Sequence, residues 1–309
     1  MMSVEQELSG CAQLYPTMLT VGVFDGVHVG HQTLLKRLVR RASEEGLVPG
    51  VITFKQHPMT FLSPKEAPPK LLNSAENLKL INAQGVSVVI PLDFNASLAH
   101  VDANTFAVLL QRYLKMKGLI LGWDFVMGHH RSGTISSLES LGKELGFVTE
   151  TVHAVTIDNE VVSSTAIRQA LADGVPEKAM TMLGRPFSIK GCVVEGEGRG
   201  VGLGYPTANI DVDPDLAVPA EGVYATWAHI NDCTFPAVTA ISRCPTFDGY
   251  RRTVETHILN YSAEIYNKEI KIDIIKKLRG IRRFGKESEL IEQIRRDIAQ
   301  ASELLGNTI

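Results

Sequence analysis

The apolar positions of this chain fall into two regimes. Residues 18–24 (MLTVGVF) form a short apolar run rich in β-branched side chains, and Asp25-Gly26 follows as a turn. From about His31 the spacing becomes helical. Leu34, Leu35, Leu38, Val39 and Ala42 share one face, Lys36, Arg37, Arg40 and Arg41 cover the other, and Gly46 supplies a stop. Apolar runs at 50–54, 86–91 and 118–122 predict further strands, and segments at about 75–84 and 103–116, with another after 134, predict helices between them. Strands and helices alternating at this interval predict βαβ units on a parallel, doubly wound, Rossmann-like sheet. In such a sheet ligands sit beyond the carboxyl ends of the strands.

The texture changes near residue 185. A helical stretch at 165–183 is followed by short runs at 188–194, 222–229, 237–241, 253–259 and 269–275, separated by Gly, Pro and Asp and lacking crossover helices. That pattern predicts an antiparallel sheet or small barrel. An amphipathic helix carrying Leu290, Ile291, Ile294, Ile298 and Leu305 ends the chain. The expected boundary lies at Gly184–Pro186, dividing the chain into domains 1–185 and 186–309.

Composition narrows the function class. A length of 309 residues suits two domains. Thirty-one Lys and Arg against 34 Asp and Glu give a net charge of −3, which speaks against a nucleic-acid partner held by bulk charge. No apolar run approaches the ~20 residues of a membrane span, and the first residues are acidic where a secretory signal is basic. The cysteines (Cys11, Cys192, Cys233, Cys244) have no CxxC spacing, which excludes a zinc knuckle and a disulfide framework. The expectation is a cytoplasmic two-domain enzyme acting on small molecules, with no nucleic-acid or membrane partner and its oligomeric state open.

Chemistry is expected first after the first strand, in Phe24-Asp25-Gly26-Val27-His28-Val29-Gly30-His31. A helix N-terminus presents unpaired N–H groups to phosphate, Gly30 lets a polyphosphate approach the backbone, and His28 and His31 can donate to charge building on an α-phosphate. The alternative is that the histidines merely cap the helix. The stretch Val162-Ser163-Ser164-Thr165-Ala166-Ile167-Arg168 sets hydroxyls at a second helix start with Arg168 one turn in, either as an ordinary Ser/Thr cap or as a phosphate contact. In the second half, Gly198, Gly200, Gly202 and Gly204 lead into Pro206-Thr207-Ala208-Asn209. Glycine N–H groups can form a nest for phosphate, and Thr207 and Asn209 offer neutral oxygens suited to magnesium. For the glycines alone a flexible hairpin serves equally well. Along Arg252–Ile258, alternation puts Thr253, Glu255 and His257 on one face, where Glu255 is either a general base or an ordinary exposed strand carboxylate.

These segments carry a resemblance to known families. HxGH, together with the Ser163–Arg168 element and the loop Gly122-Trp123-Asp124-Phe125-Val126-Met127-Gly128, resembles the nucleotidyltransferase superfamily. Met127 stands where that family has an aromatic residue, and Phe54-Lys55-Gln56-His57-Pro58 occupies its post-strand FxxHP position. There His57 either approaches substrate or serves as a structural loop residue. GxxLGYPTAN and RTVExHI resemble the riboflavin kinase module, which implies a six-stranded β-barrel with a C-terminal helix, and Leu183-Gly184-Arg185-Pro186-Phe187 matches the usual junction. Joined, the modules resemble bacterial bifunctional riboflavin kinase/FMN adenylyltransferases over about residues 15–303.

The resemblance implies ATP, Mg2+ and riboflavin or FMN as reactants and FAD as product. It assigns Phe24, Gly26, His28, Gly30, His31, Asp124, Ser164, Thr165 and Arg168 to ATP in the first domain. In the second it gives Thr207 and Asn209 to Mg–ATP, Gly198, Gly202 and Gly204 to the phosphate and flavin loop, and Glu255 to proton removal. Two segments depart from the family. Ala240-Ile241-Ser242-Arg243-Cys244-Pro245-Thr246-Phe247 replaces NIGxRPTF, and His129-His130-Arg131-Ser132-Gly133 replaces a more basic loop. Two histidines adjacent in sequence do not make a metal site without further ligands. The basic run Lys276–Lys286 reads as a solvated loop sooner than an RNA site, because stacking aromatics are nearly absent. A chain with one live domain, its kinase weakened by the altered segment, is the alternative within enzymes. A non-catalytic flavin-binding regulator is the alternative outside them.

Overall fold

A computed structural model describes residues 2–196, 198–246 and 249–306. They form two compact units, Met1–Ser164 and Thr165–Ile309. The first opens with α1 (Val4–Gly10) and then alternates β1 (Thr17–Val21), α2 (Val29–Glu44), β2 (Val48–Phe54), α3 (Pro58–Leu62), α4 (Ser74–Asn82), β3 (Val88–Leu92), α5 (Ala96–Ala99), α6 (Ala103–Leu114) and β4 (Met116–Gly122). A short hairpin of β5 (Val126–Met127) and β6 (Gly133–Thr134) precedes α7 (Ile135–Leu145) and β7 (Val148–Val152). A second short pair, β8 (Thr156–Ile157) and β9 (Glu160–Val161), leads to Ser164.

The main sheet runs β3-β2-β1-β4-β7, with every pair parallel. Its centre is buried on both faces, as crossover helices require. Leu19, Val21, Ile52, Leu119 and Leu121 face α1, α6 and α7, whereas Met18, Val51 and Ile120 face α2 and α4. Strand order reverses beside β1, so the crevice beyond its carboxyl end is the expected ligand position.

In the second unit, α8 (Ser164–Ala172) and α9 (Pro176–Leu183) replace the single helical stretch expected at 165–183. Gly174, at φ 72°, ends one helix, and Pro176 occupies the first turn of the next. α9 packs on two strands of the following barrel, β10 (Phe187–Val194) and β15 (Glu269–Arg279). Packing therefore divides the chain ahead of the Gly184–Pro186 junction that sequence texture marks. The barrel continues through α10 (Arg199–Gly202), β11 (Ala208–Val212), β12 (Gly222–Ile230), β13 (Cys233–Thr246) and β14 (Gly249–Ile258), and α11 (Glu287–Gly306) follows β15. It closes in the order β10-β11-β14-β13-β12-β15 with antiparallel pairing throughout.

Thr226, Thr239 and Thr256 are fully buried, and their hydroxyls form a chain with 2.9 Å at each link, so each of these three hydroxyls has a partner. Ala301 and Leu305 of α11 pack on Ala225. The guanidinium of Arg279 donates to both oxygens of buried Asp297 at 2.8–3.0 Å, pinning α11 to β15.

Candidate active sites

Residues 22–28 turn the chain from β1 into α2. Phe24 (φ 52°) and Val27 (φ 38°) take the left-handed region that costs residues with a Cβ, and such strain persists where neighbours fix a working conformation. The neighbours here are specific. The carboxylate of Asp25, 6% exposed, accepts the N–H of Leu71 at 3.0 and 3.1 Å. The N–H of Gly26 donates to Asn77 Oδ1 at 3.1 Å, and Thr53 Oγ1 donates to the carbonyl of Val23 at 3.1 Å. Ser164, the last residue of the first unit, donates its Oγ hydrogen to the carbonyl of Asp25 at 2.8 Å. Thr165 and Arg168 follow Ser164 on α8.

His28 is the N-cap of α2. Its Nδ1 accepts the N–H of His31 at 3.2 Å, so the ring proton of neutral His28 sits on Nε2 as a donor. The two rings stack at 3.6 Å with 15° between planes, and Phe24 lies 5.0 Å from His31. A Cβ on residue 30 would meet the His28 ring at 3.1 Å, so Gly30 gives that ring its place. His31 Nδ1 is buried without a hydrogen-bond partner, an atom a bound ligand would satisfy.

Burial, and secondarily the charge of His28, hold the His31 imidazole well below its ordinary value of 6.5. The folded chain thus keeps His31 neutral where the unfolded chain begins to bind a proton. The corresponding stability is complete above the unfolded value and is lost as pH falls through 6.5 toward the lowered folded value. Thermal unfolding midpoints should therefore drop between about pH 7.5 and about pH 5.5, and His31→Gln should shrink the drop. Equal drops in both proteins would assign the acid sensitivity elsewhere.

Phe24, His31 and Asp124 line one cavity of about 560 Å³ beyond the carboxyl ends of β1 and β4. Its walls are largely apolar, with Phe54, Phe94, Leu98, Phe106 and Phe125 among them, and its volume suits a ligand of drug size. Met127 lines it too, packing against the sheet core where the family has an aromatic ring. The motif reading quoted Phe54 and Phe125 without giving them a role, and it missed Phe94, Leu98 and Phe106, which come from separate segments. The available signal was positional, since Phe54 ends β2 and Phe94 lies just beyond β3. His57 caps α3, its Nδ1 accepting the Met59 N–H at 3.1 Å, and lines a separate cavity of about 180 Å³.

In the barrel, Val254, Thr256 and Ile258 point inward and are buried, leaving Thr253, Glu255 and His257 on the outer side as alternation predicts. β11 pairs with β14 so that Asn209 stands directly opposite Glu255. Side chains so opposed lie about 5 Å apart at Cβ. His257 Nδ1 lies 2.8 Å from the carbonyl of Pro206, tying the residue before Thr207 to the same strand. Thr207 itself lines a cavity of about 160 Å³ with Tyr261 and Tyr266.

The glycine segment divides its labour. Gly198, Gly202 and Gly204 have open space at their Cβ positions, and Gly198 and Gly204 have φ of 68° and 82°. Close approach belongs instead to Gly196, where a Cβ would come within 2.0 Å of Asn209 Nδ2, and to Gly200, where it would come within 2.4 Å of the Tyr205 carbonyl. The segment also contains the single turn of α10, where sequence suggested only a loop. Of the altered segment, Ala240 stands opposite Glu255 on β13, Ser242 Oγ lies 2.7 Å from Thr253 Oγ1, and Phe247 falls outside the described residues.

Among the described residues no group of three His, Cys, Asp or Glu side chains forms a metal site. Thr207, Asn209 and the facing Glu255 instead present a sparse oxygen set, which fits a hard cation arriving already bound to phosphate.

A Rossmann-like unit with stacked histidines at a helix N-terminus, joined in one chain to a closed barrel that sets Asn opposite Glu, is the build of a phosphate-handling transferase. Family models for FAD synthetase and riboflavin kinase match residues 11–166 and 183–305. The bifunctional riboflavin kinase/FMN adenylyltransferase of Haemophilus influenzae is 33% identical over 95% of this chain and 94% of its own length. That of Escherichia coli K12 is 35% identical over 94% and 93%, and that of Bacillus subtilis is 32% identical over 94% and 93%. A solved structure described as a macrolide-efflux protein from Streptococcus pneumoniae superposes with a TM-score of 0.87 at 28% identity, covering 94% of this chain and 95% of that one. The chain belongs to the bifunctional riboflavin kinase/FMN adenylyltransferase family, the bifunctional FAD synthetases. No described helix is long and apolar enough to cross a membrane.

Proposed function

We propose that residues 186–309 phosphorylate riboflavin and residues 1–185 adenylylate the product, in the cytoplasm. In the barrel, Glu255 takes the proton of the ribityl 5′-hydroxyl as its oxygen attacks the γ-phosphorus of ATP, giving FMN and ADP. Thr207 and Asn209 would hold magnesium with the nucleotide, and bound there it neutralises phosphate charge. The register that sets Asn209 against Glu255 carries this assignment, because it brings a nucleotide-holding oxygen and a proton acceptor to one spot.

In the first domain a phosphate oxygen of FMN attacks the α-phosphorus of a second ATP, and pyrophosphate leaves. His28 and His31 at the start of α2, with Gly26 and Gly30 admitting the phosphates, stabilise the developing charge. Asp124, Ser164, Thr165 and Arg168 position the nucleotide. The apolar cavity beside His31 takes the isoalloxazine ring, its phenylalanines supplying stacking surface.

A second reading, in which the kinase is the slower of the two steps, draws support from Ala240. It puts a methyl group beside Glu255 where the family has an amide.

One time course tests both. The full chain with riboflavin, ATP and magnesium should form FMN and then FAD, and with FMN supplied it should form FAD and pyrophosphate directly. Folded protein that yields neither flavin would overturn the function. A slow first step with a fast second would favour the weakened kinase.

A further inference from the structure

Beyond these assignments, the loop that replaces the family's basic segment has its own geometry. His129, His130 and Arg131 line the same cavity as His31. The ring of His129 lies 3.9 Å from that of His130 and 5.2 Å from that of His100, which precedes α6. The loop is held tightly. Gly128 (φ 78°), His130 (φ 54°) and Arg131 (φ 58°) all take the left-handed region, unfavourable for the two residues with side chains. A Cβ on Gly128 would meet the Ala103 nitrogen at 2.7 Å, the His129 N–H donates to the carbonyl of Val101 at 2.9 Å, and Ser132 Oγ accepts the Ala103 N–H at 3.3 Å.

The hydrogen bonds of the rings set what they can bind. His100 Nδ1 lies 2.7 Å from the carbonyl of Ala96, and His129 Nδ1 lies 3.0 Å from that of Ala99. A carbonyl only accepts, so both Nδ1 atoms carry protons and donate. His129 thus ties the loop to the end of α5, which leaves His130 and Arg131, both exposed, to meet a ligand. The nearby acids do not neutralise Arg131. Asp124 shares the cavity lining and Asp102 caps α6, yet neither pairs with Arg131, whose guanidinium is exposed.

From this arrangement we infer that His130 and Arg131, on a loop that His129 ties to α5, clamp a phosphate monoester on the ligand of this cavity and so make the site prefer FMN over riboflavin. The inference rests on the reading of the cavity as the flavin site. The same chemistry would also suit the triphosphate of ATP, and the measurement separates the two sources.

The test is steady-state FAD formation by the full chain, with FMN and ATP varied in turn. Lumiflavin, which has no ribityl hydroxyl to phosphorylate, serves as competitor for the ring site. In His130→Gln/Arg131→Gln, both exposed positions, KM for FMN should rise about 10- to 100-fold, the worth of one or two charge-assisted hydrogen bonds. Turnover number, KM for ATP and Ki for lumiflavin should stay within about twofold. An unchanged KM for FMN, with lumiflavin still competitive, overturns the clamp and leaves the cavity assignment standing. Lumiflavin that fails to compete in the parent chain overturns the cavity assignment itself. A rise confined to KM for ATP also overturns the inference, by giving the loop to the triphosphate.

Discussion

A chain carrying Glu255→Gln is expected to form FMN from riboflavin about 10²- to 10⁴-fold more slowly while converting supplied FMN to FAD at the parent rate. The amide keeps the shape of the carboxylate and cannot accept the ribityl proton. Little packing is at risk, because the barrel wall at this point is made by Val254 and Thr256, which point inward, while residue 255 lies on the outer side. The unit bearing His28 and His31 is untouched by the change. Flavin products separated after riboflavin feeding and after FMN feeding give the two rates. Loss of both activities in a folded protein would refute the division of labour, and retention of both would remove Glu255 from the reaction.

The second large effect separates two jobs that His28 does at once. Its Nδ1 caps α2, and its opposite nitrogen is the proposed donor to the α-phosphate. Asparagine is among the strongest N-cap residues, so His28→Asn keeps the cap, whereas His28→Ala loses it at a cost of about 1 kcal/mol. Adenylylation should nevertheless fall about 10²- to 10³-fold in both variants, the usual loss for one donor to a developing oxyanion. Urea unfolding should distinguish them, with Ala the less stable. Phosphorylation of riboflavin should persist in each. If His28→Asn keeps the parent adenylylation rate, the histidine is a helix cap and nothing more.

Local pattern carried far in some places and failed in others for identifiable reasons. The alternation of Thr253, Glu255 and His257 against Val254, Thr256 and Ile258 was legible because one face of that strand is buried and the period is two. The strand Val148–Val152 was not, since it pairs only with β4 at the sheet edge and none of its side chains is fully buried. Ala208–Val212 escaped notice too. Five residues interrupted by Asn and Asp become a strand only when β10 and β14 supply the hydrogen bonds on either side. The break between α8 and α9 was written in Gly174 and Pro176, yet periodicity alone ran through it.

The sequence by itself determined two modules, their order and the motifs proposed to handle phosphate. These follow from hydrophobic period, turn residues and short-range spacing, all properties of neighbouring residues. Tertiary structure alone decided what faces what. It stacked His28 on His31, brought Ser164 to the Asp25 carbonyl, set Asn209 against Glu255, and built one cavity from Phe54, Phe94, Phe106 and Phe125 with the 129–131 loop at its lining. Those contacts join residues far apart in the chain. Their free energy comes from burial and register across elements, which no local pattern encodes.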